Sequence, residues 1–160
     1  MSLPENPHPS PDGADYHPQH NIGRALIDAA AIMTAAVDRR ARSFGISGAQ
    51  WIVLIRIGGG LAATASDLCR SLGKDSGAMT RMLDRLERQG LVRRLPSPED
   101  GRAARLELTP AGEALYPAIR PIASEVIAGH LRGFSAEESA QFLEFLERVI
   151  ANGASPPPEP

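Results

Sequence analysis

The chain has 160 residues, a net charge of −2, and 42% hydrophobic and 22% charged side chains. This length suits one domain with extensions, and no apolar stretch approaches the roughly 18 residues that a membrane-spanning helix needs. One cysteine, Cys69, excludes an internal disulfide and a cysteine-rich zinc module, and since no secretory signal is visible we expect a cytoplasmic protein.

The small net charge conceals a basic middle between acidic ends. Residues 1–23 carry three acidic side chains and no lysine or arginine, whereas residues 74–105 carry eight basic and five acidic side chains. A surface that binds a polyanion on an otherwise acidic protein produces such an asymmetry. Prolines concentrate at the two ends, which predicts disordered tails over residues 1–18 and 153–160.

Apolar periodicity predicts two helices at the start of the folded part. Apolar residues three and four apart indicate a first helix from Ile22 to near Gly45. A second helix follows Ser47, and its nearly continuous apolar run predicts a buried central position. The three glycines at positions 58–60 end this helix and predict a flexible turn.

The third and fourth helices have the clearest boundaries. Thr64 and Asp67 match a capping box for a short helix that Gly73 ends, and Asp75 can cap the next helix. That fourth helix ends at Gly90. It carries an apolar stripe at helical spacing, formed by Met79, Met82, Leu83 and Leu86. The stripe predicts a helix that lies on the core with its polar face outward.

After the fourth helix the pattern changes to strand and back to helix. Residues 91–95 and 104–108 indicate two short strands around a polar turn, which predicts a β-hairpin. A helix from residue 110 is expected to bend at Pro117 and Pro121, and a last helix follows Ser135. The fold class predicted is mainly α with a small β-hairpin wing: a winged helix-turn-helix with further helices.

The fourth helix is the candidate DNA-recognition helix. In a winged helix-turn-helix one helix rests on the core, and the other exposes short polar and cationic side chains to the major groove. Residues 75–89 meet this requirement, and the candidate contacts on them are Ser76, Thr80, Arg81 and Arg85. The alternative is an amphipathic helix with ordinary surface charge.

The hairpin carries a second group of candidate DNA contacts. They are Arg93, Arg94, Asp100, Arg102 and Arg105. A basic hairpin beside a recognition helix suits the flanking minor groove, and Asp100 could orient Arg102 by a charge-assisted hydrogen bond. The alternative is a solvated turn with a weak exposed ion pair.

These residues carry a family resemblance. Residues 100–112, DGRAARLELTPAG, resemble the D-x-R-x-x-x-L-x-L-T-x-x-G signature of the MarR family of bacterial transcriptional regulators. The helix-turn-helix upstream, residues 66–92, is similar to that of the family as well. The family's thiol-based sensors use a cysteine near the N-terminal helix, where this chain has none. Cys69 is predicted on the inward side of the short third helix, which favours a buried structural thiol over the alternative, a redox sensor.

The resemblance implies a homodimeric DNA-binding transcriptional regulator. Residues 19–45 and 110–152 would form the helical dimerisation region, and residues 46–109 the winged helix-turn-helix. The helices predicted within residues 19–45 and 110–152 also have more apolar surface than one small winged domain can cover, which independently favours a partner. Twofold symmetry predicts a pseudo-palindromic operator in double-stranded DNA. We expect a repressor that a small aromatic or anionic effector releases.

Many family members bind such a ligand between the dimerisation helices and the winged domain. A ligand can act there only by favouring one spacing of the two recognition helices. Trp51 and Arg56 are the candidates for an apolar wall and an anion partner. The alternative for Trp51 is a core residue, given the apolar run around it.

Other functions fit the sequence less well. His17 and His20 are three residues apart, but Pro18 between them opposes a helix, so neither a metal site nor a cofactor is expected. No arrangement of nucleophile and base suggests an enzyme. The alternative from another class is a winged-helix protein-interaction module without DNA binding, which would lack the steep salt dependence of a DNA binder.

Overall fold

A computed structural model describes residues 21–96 and 104–154, and the chain divides into two compact units between Val126 and Ile127. The elements in chain order are α1 (Ile22–Arg42), α2 (Gly48–Gly58), α3 (Ala65–Leu72), α4 (Ser76–Arg88), β1 (Val92–Pro96), β2 (Ala104–Leu108), α5 (Pro110–Ile119), α6 (Ile122–His130) and α7 (Ala136–Ala154). The predicted class, mainly α with one β-hairpin, is confirmed. None of the helices in the described ranges has the length and apolar character required to span a bilayer.

The predicted boundaries of the helix-turn-helix are confirmed. The Thr64 hydroxyl accepts a hydrogen bond from the Asp67 amide at 3.2 Å, and the Asp67 carboxylate accepts one from the Thr64 amide at 3.0 Å. Asp75 caps α4 by accepting a hydrogen bond from the Ala78 amide at 2.8 Å. Gly73 has a φ of +59°, so the turn between α3 and α4 requires glycine there.

The apolar stripe of α4 is the centre of the core. Met79, Leu83 and Leu86 are buried, and Met82 is half-buried at the edge of the stripe. They pack in one cluster with residues of α2, α3 and the hairpin, among them Leu68 of α3. Burial of each such side chain stabilises the fold by about 1.5–3 kcal/mol. This packing holds α4 with its polar face outward.

The hairpin is attached to the helices along both of its edges. β1 and β2 pair antiparallel, with Arg94 opposite Leu106. On the other edge of β2, the Leu106 amide donates to the Ala63 carbonyl at 2.8 Å. At its base the Thr109 amide donates to the Leu91 carbonyl at 3.1 Å. The hairpin therefore has a defined position beside α3 and α4.

The prediction of a single bent helix after the hairpin is wrong in one respect. The structure has two helices, α5 and α6, separated at Arg120 and Pro121. Pro117 lies inside α5 without ending it. Pro121 has no amide to donate to the Pro117 carbonyl, and its ring crowds the preceding turn, so the helix stops there and α6 begins after it.

Two polar contacts join α1 to the helices packed on it. The Asp38 carboxylate accepts a hydrogen bond from the Gly48 amide, the first residue of α2, at 2.8 Å. A Cβ at position 48 would come within 3.1 Å of the Asp38 backbone, so the close approach favours glycine. Arg40 forms an ion pair with Glu125 of α6 at 2.8 Å. The first contact fixes the start of α2 on α1, and the second fixes α6 on α1.

The second unit consists mainly of α7. Ser135 and Glu138 cap its start. The Ser135 hydroxyl accepts a hydrogen bond from the Glu138 amide at 3.1 Å, and the Glu138 carboxylate accepts one from the Ser135 amide at 2.7 Å. The rings of Phe134 and Phe142 pack against each other with centroids 6.3 Å apart. The predicted start of this helix is confirmed, and α7 extends to Ala154, beyond the predicted end of the helical region.

We expect the free energy of unfolding to fall as the pH is lowered from about 5 to 3. The pKa of Asp38 is lowered chiefly by the hydrogen bond from the Gly48 amide, and that of Asp75 chiefly by the one from the Ala78 amide. Carboxylates with a pKa lower in the folded than in the unfolded state, about 3.9, stabilise the fold fully above that value. Their contribution is lost as the pH falls through the folded pKa.

Urea denaturation followed by circular dichroism across this range measures the effect. The variant Asp38→Asn should have a shallower dependence of stability on pH, because one of the shifted groups no longer titrates. Equal slopes for the wild type and the variant would show that Asp38 does not contribute.

Candidate nucleic-acid interface

The outward face of α4 holds all four side chains predicted on the recognition helix. Ser76, Thr80, Arg81 and Arg85 are exposed. The Thr80 hydroxyl donates to the Ser76 carbonyl at 2.8 Å, so its methyl group and its oxygen lone pairs are what it offers to a partner. Short polar groups and long cations thus share one accessible surface.

Arg81 and Arg85 provide positive charge on this face. Neither Arg81 nor Arg85 forms an ion pair with another residue in the described ranges. Together with Asp84 and Arg88 they line a shallow groove of about 330 Å³. Three guanidinium groups against one carboxylate make this groove electropositive, which suits an anion.

Two of the predicted wing arginines share one carboxylate. Nη2 of Arg93 lies 3.0 Å from Oε2 of Glu107, and Nε of Arg105 lies 3.4 Å from Oε1 of the same residue. The three side chains come from neighbouring positions of β1 and β2. Because Glu107 balances only one of the two charges, this part of the wing remains cationic.

Arg94 has a different environment. Its Nη1 lies 2.8 Å from Oδ1 of Asp84 and also contacts Oε2 of Glu87, and both acids belong to α4. Oε1 of Glu87 accepts a hydrogen bond from the Arg94 backbone amide at 3.1 Å. The structure therefore places this predicted wing contact against α4.

Two other predictions for the wing, Asp100 and Arg102, lie outside the described residues. By contrast, Lys74 is not among the sequence predictions but is exposed in the turn between α3 and α4. Its position in the sequence could have predicted this, because a lysine between Gly73 and the cap residue Asp75 lies next to the start of α4. It adds a cation to the same surface.

Comparison with known proteins assigns the chain to a family. A sequence model of the MarR family matches residues 44–103. The crystal structure of the transcriptional regulator PA3341 is 37% identical to this chain, with a TM-score of 0.74, and the match covers 81% of this chain and 96% of that one. The chain belongs to the MarR family. The resemblance carried by the wing signature is thereby confirmed, and the protein is a MarR family transcriptional regulator.

Two further MarR family structures contain DNA. A variant of MarR from E. coli, solved in complex with operator DNA, is 29% identical, with a TM-score of 0.73 and coverage of 80% of this chain and 92% of that one. A protein from Listeria monocytogenes, described as a MarR family transcriptional regulator complexed with 26mer DNA, is 23% identical, with a TM-score of 0.76 and coverage of 82% and 88%. At that identity the second match shows the fold alone.

In this MarR family regulator the two predicted ligand contacts do not converge. Trp51 is buried, and its Nε1 donates to the Ile119 carbonyl at 2.8 Å, which ties α2 to α5. Arg56 is half-buried on the last turn of the same helix. Residues five apart lie about 140° apart around a helix, so their side chains leave α2 in different directions. The alternative role for Trp51, a core residue, matches this placement.

A cleft of about 570 Å³ opens between the end of α2, β2 and α5. Ile57 and Tyr116 contribute apolar surface, and Arg105 and Glu113 contribute charge. The Tyr116 ring packs on Gly58, where a Cβ would come within 2.5 Å of it. The glycines predicted as a flexible turn thus include one that the packing of α5 requires.

Two remaining predictions concern groups outside the interface. Cys69, expected to be a buried thiol, is half-buried and packs against the core. The pair His17 and His20 lies outside the described residues.

Proposed function

We propose that this regulator is a repressor that binds a pseudo-palindromic operator in double-stranded DNA as a homodimer, and that a small aromatic or anionic ligand releases it. One observation carries the proposal: Arg81 and Arg85 are exposed on α4 beside Ser76 and Thr80, without an ion pair to any described residue. Such cations stabilise a complex with DNA by displacing condensed counterions.

The proposed readout follows from the chemistry of each side chain. Arg81 can donate two hydrogen bonds to O6 and N7 of guanine. The methyl group of Thr80 can contact the methyl group of thymine, since its hydroxyl proton is already donated to Ser76. Arg85, one turn further along α4, suits a phosphate that fixes the register.

The wing is proposed to bind the flanking minor groove. Arg93 and Arg105 share Glu107 in exposed ion pairs, which contribute little stability in water. Little free energy is therefore lost when either arginine leaves Glu107 and binds a phosphate of the DNA. Asp100 and Arg102 complete this proposed contact, as the family signature implies.

The proposed homodimer rests on apolar surface that α1 and α7 each leave exposed. The exposed residues of α7 are Phe142, Leu143, Phe145, Val149 and Ile150, and those of α1 are Ile22, Ile27 and Ile32. Exposed apolar surface on each of these helices is typical of an interface. We assign residues 19–45 and 110–152 to dimerisation and 46–109 to DNA binding.

Sedimentation equilibrium tests the proposed dimer. We expect a molecular mass twice that of one chain.

Binding to the DNA upstream of the protein's own gene tests the proposal. A fluorescent duplex from that region and a scrambled duplex of equal composition are titrated at several salt concentrations. We expect tighter binding of the natural duplex, and an affinity that falls on the order of a thousandfold or more between 50 and 200 mM salt. The E. coli relative solved with operator DNA supports this expectation. Equal, salt-insensitive binding of both duplexes would instead favour a protein-interaction module.

Ligand release is proposed to involve Arg56 as the anion partner, whereas Trp51, which is buried and hydrogen-bonded to the Ile119 carbonyl, is assigned to the core and serves as a fluorescent probe on the same helix. Arg56 is half-buried and forms no ion pair within the described ranges. Trp51 is the sole tryptophan, so its fluorescence reports on the site. Titration with salicylate should change that fluorescence and release the duplex. Arg56→Ala should raise the salicylate concentration needed and leave duplex affinity unchanged.

A further inference from the structure

The arginines of the wing differ in how far their side chains are exposed. The Arg94 side chain is 30% exposed, against 52% for Arg93 and 58% for Arg105. Arg94 faces Asp84 and Glu87 of α4, whereas the other two face a single acid on the hairpin itself. Arg94 is therefore directed at the protein, whereas Arg93 and Arg105 are directed at solvent.

We infer that Arg94 is a positioning residue: together with Asp84 and Glu87 it forms a clamp that holds the wing on α4, and it does not itself contact DNA. The inference rests on the proposed DNA-binding function. One guanidinium faces two carboxylates, so a phosphate that approached Arg94 would have to compete with both of them. Withdrawing Arg94 toward DNA would also break its contacts to both acids and release the hairpin from α4.

The clamp also satisfies the backbone of the hairpin. β1 pairs with β2 along one edge in the described sheet. The Arg94 amide faces the opposite edge, since it donates to Glu87 at 3.1 Å and not to Leu106 across the strand pair. Glu87 therefore holds both the backbone and the side chain of Arg94. A carboxylate with two such hydrogen bonds fixes β1 against the last turn of α4.

This geometry matters because the wing and α4 are proposed to contact different grooves of one duplex. If β1 is free to shift against α4, the wing cations must be ordered on binding, which weakens the complex. The clamp provides that order in advance. Its acids therefore favour DNA binding although their charge opposes it.

Glu87→Gln gives the sharpest test, because the two effects of that change have opposite signs. Removing a negative charge near the interface strengthens DNA binding by electrostatics alone. Loss of the clamp weakens binding, and we expect the operator affinity to fall about fivefold. Asp12→Asn is the matched control: it removes the same charge at a position outside the regions assigned to dimerisation and DNA binding, and should change affinity less than about twofold.

The salt dependence of binding distinguishes a positioning residue from one that binds phosphate. Arg94→Gln should weaken binding and leave the slope of log K against log salt unchanged. Arg93→Gln should reduce that slope by about 0.9 for each phosphate that the side chain no longer neutralises. The double variant Arg94→Gln with Glu87→Gln should bind no more weakly than Arg94→Gln alone, because both changes remove the same interaction.

A readout without DNA makes the clamp testable by itself. Hydrogen exchange of the Arg94 amide, followed by NMR, should accelerate in Glu87→Ala, which removes the acceptor, whereas the Leu106 amide, which donates to Ala63, should not change. Unchanged Arg94 exchange, tighter operator binding by Glu87→Gln, or a slope reduced in Arg94→Gln as in Arg93→Gln would each overturn the inference. Failure of the wild type to bind any duplex would instead refute the proposed function, and the exchange experiment would still decide whether the clamp exists.

Discussion

Replacing Arg81 with alanine is expected to weaken binding of the operator duplex about 5- to 150-fold, which corresponds to about 1–3 kcal/mol. The reason is the chemistry of a bidentate contact: a guanidinium that reaches O6 and N7 of guanine contributes affinity and discriminates between bases. Arg81 is exposed near the start of α4 and carries no ion pair to a described residue, so its guanidinium is available to a base.

The same variant should change base preference, which distinguishes a base contact from a phosphate contact. Fluorescence anisotropy with duplexes altered at one base pair at a time measures this. Arg81→Ala should lose discrimination at one position in each half-site, whereas Arg85→Ala should weaken binding to all duplexes alike.

The control must remove an arginine outside the proposed DNA interface, and affinity is compared per dimer because residues 19–45 are assigned to dimerisation. Arg24→Ala is suitable, since Arg24 lies on α1 in an exposed pair with Asp28. We expect its operator affinity to remain within about twofold of the wild type. Equal losses in Arg24→Ala and Arg81→Ala would mean that only the overall charge matters, and α4 would not be the reading element.

Much of the winged domain can be predicted from sequence because its signals are local. The cap residues Thr64 and Asp75 lie within three positions of the amides they accept, and they mark the starts of α3 and α4 correctly. The apolar stripe of α4 repeats at helical spacing, so its burial follows from the sequence alone. The exposure of Arg81 and Arg85 then follows from the geometry of the helix.

Some features cannot be predicted from the sequence because they depend on contacts between positions far apart in the chain, or because a local pattern has different outcomes at different positions. Arg94 is predicted among the wing cations because a charge on a hairpin shows no partner in sequence; its acids belong to the preceding helix. Trp51 and Arg56 lie on one helix, but the Ile119 carbonyl that binds Trp51 belongs to α5. Pro117 and Pro121 give the same local signal, yet the helix breaks only at the second.

The signature that identified the family contains a glycine whose role the fold explains. Gly112 lies in the first turn of α5, and its amide donates to the capping hydroxyl of Thr109 at 3.1 Å. A Cβ at position 112 would lie 2.2 Å from the Leu91 carbonyl oxygen. That oxygen already accepts the Thr109 amide at 3.1 Å, so it cannot move away without breaking the junction between the hairpin and α5. Glycine is required here by space, not by its backbone angle.

Gly112→Ala is therefore expected to destabilise the protein by at least about 3 kcal/mol, since the added methyl group collides with backbone and not with a flexible side chain. The midpoint of thermal unfolding should fall by roughly 6–12 °C, measured by circular dichroism at one fixed protein concentration. Gly129→Ala is the matched control: it adds the same group in α6, where the φ is not positive and the described residues, apart from the adjacent helix backbone, place no atom within 4 Å of the new Cβ. There the change should leave stability unchanged or raise it by about 0.5–1 kcal/mol. A stability of Gly112→Ala within about 1 kcal/mol of the wild type would mean that α5 can move away from the base of the hairpin, and that the junction is not rigid.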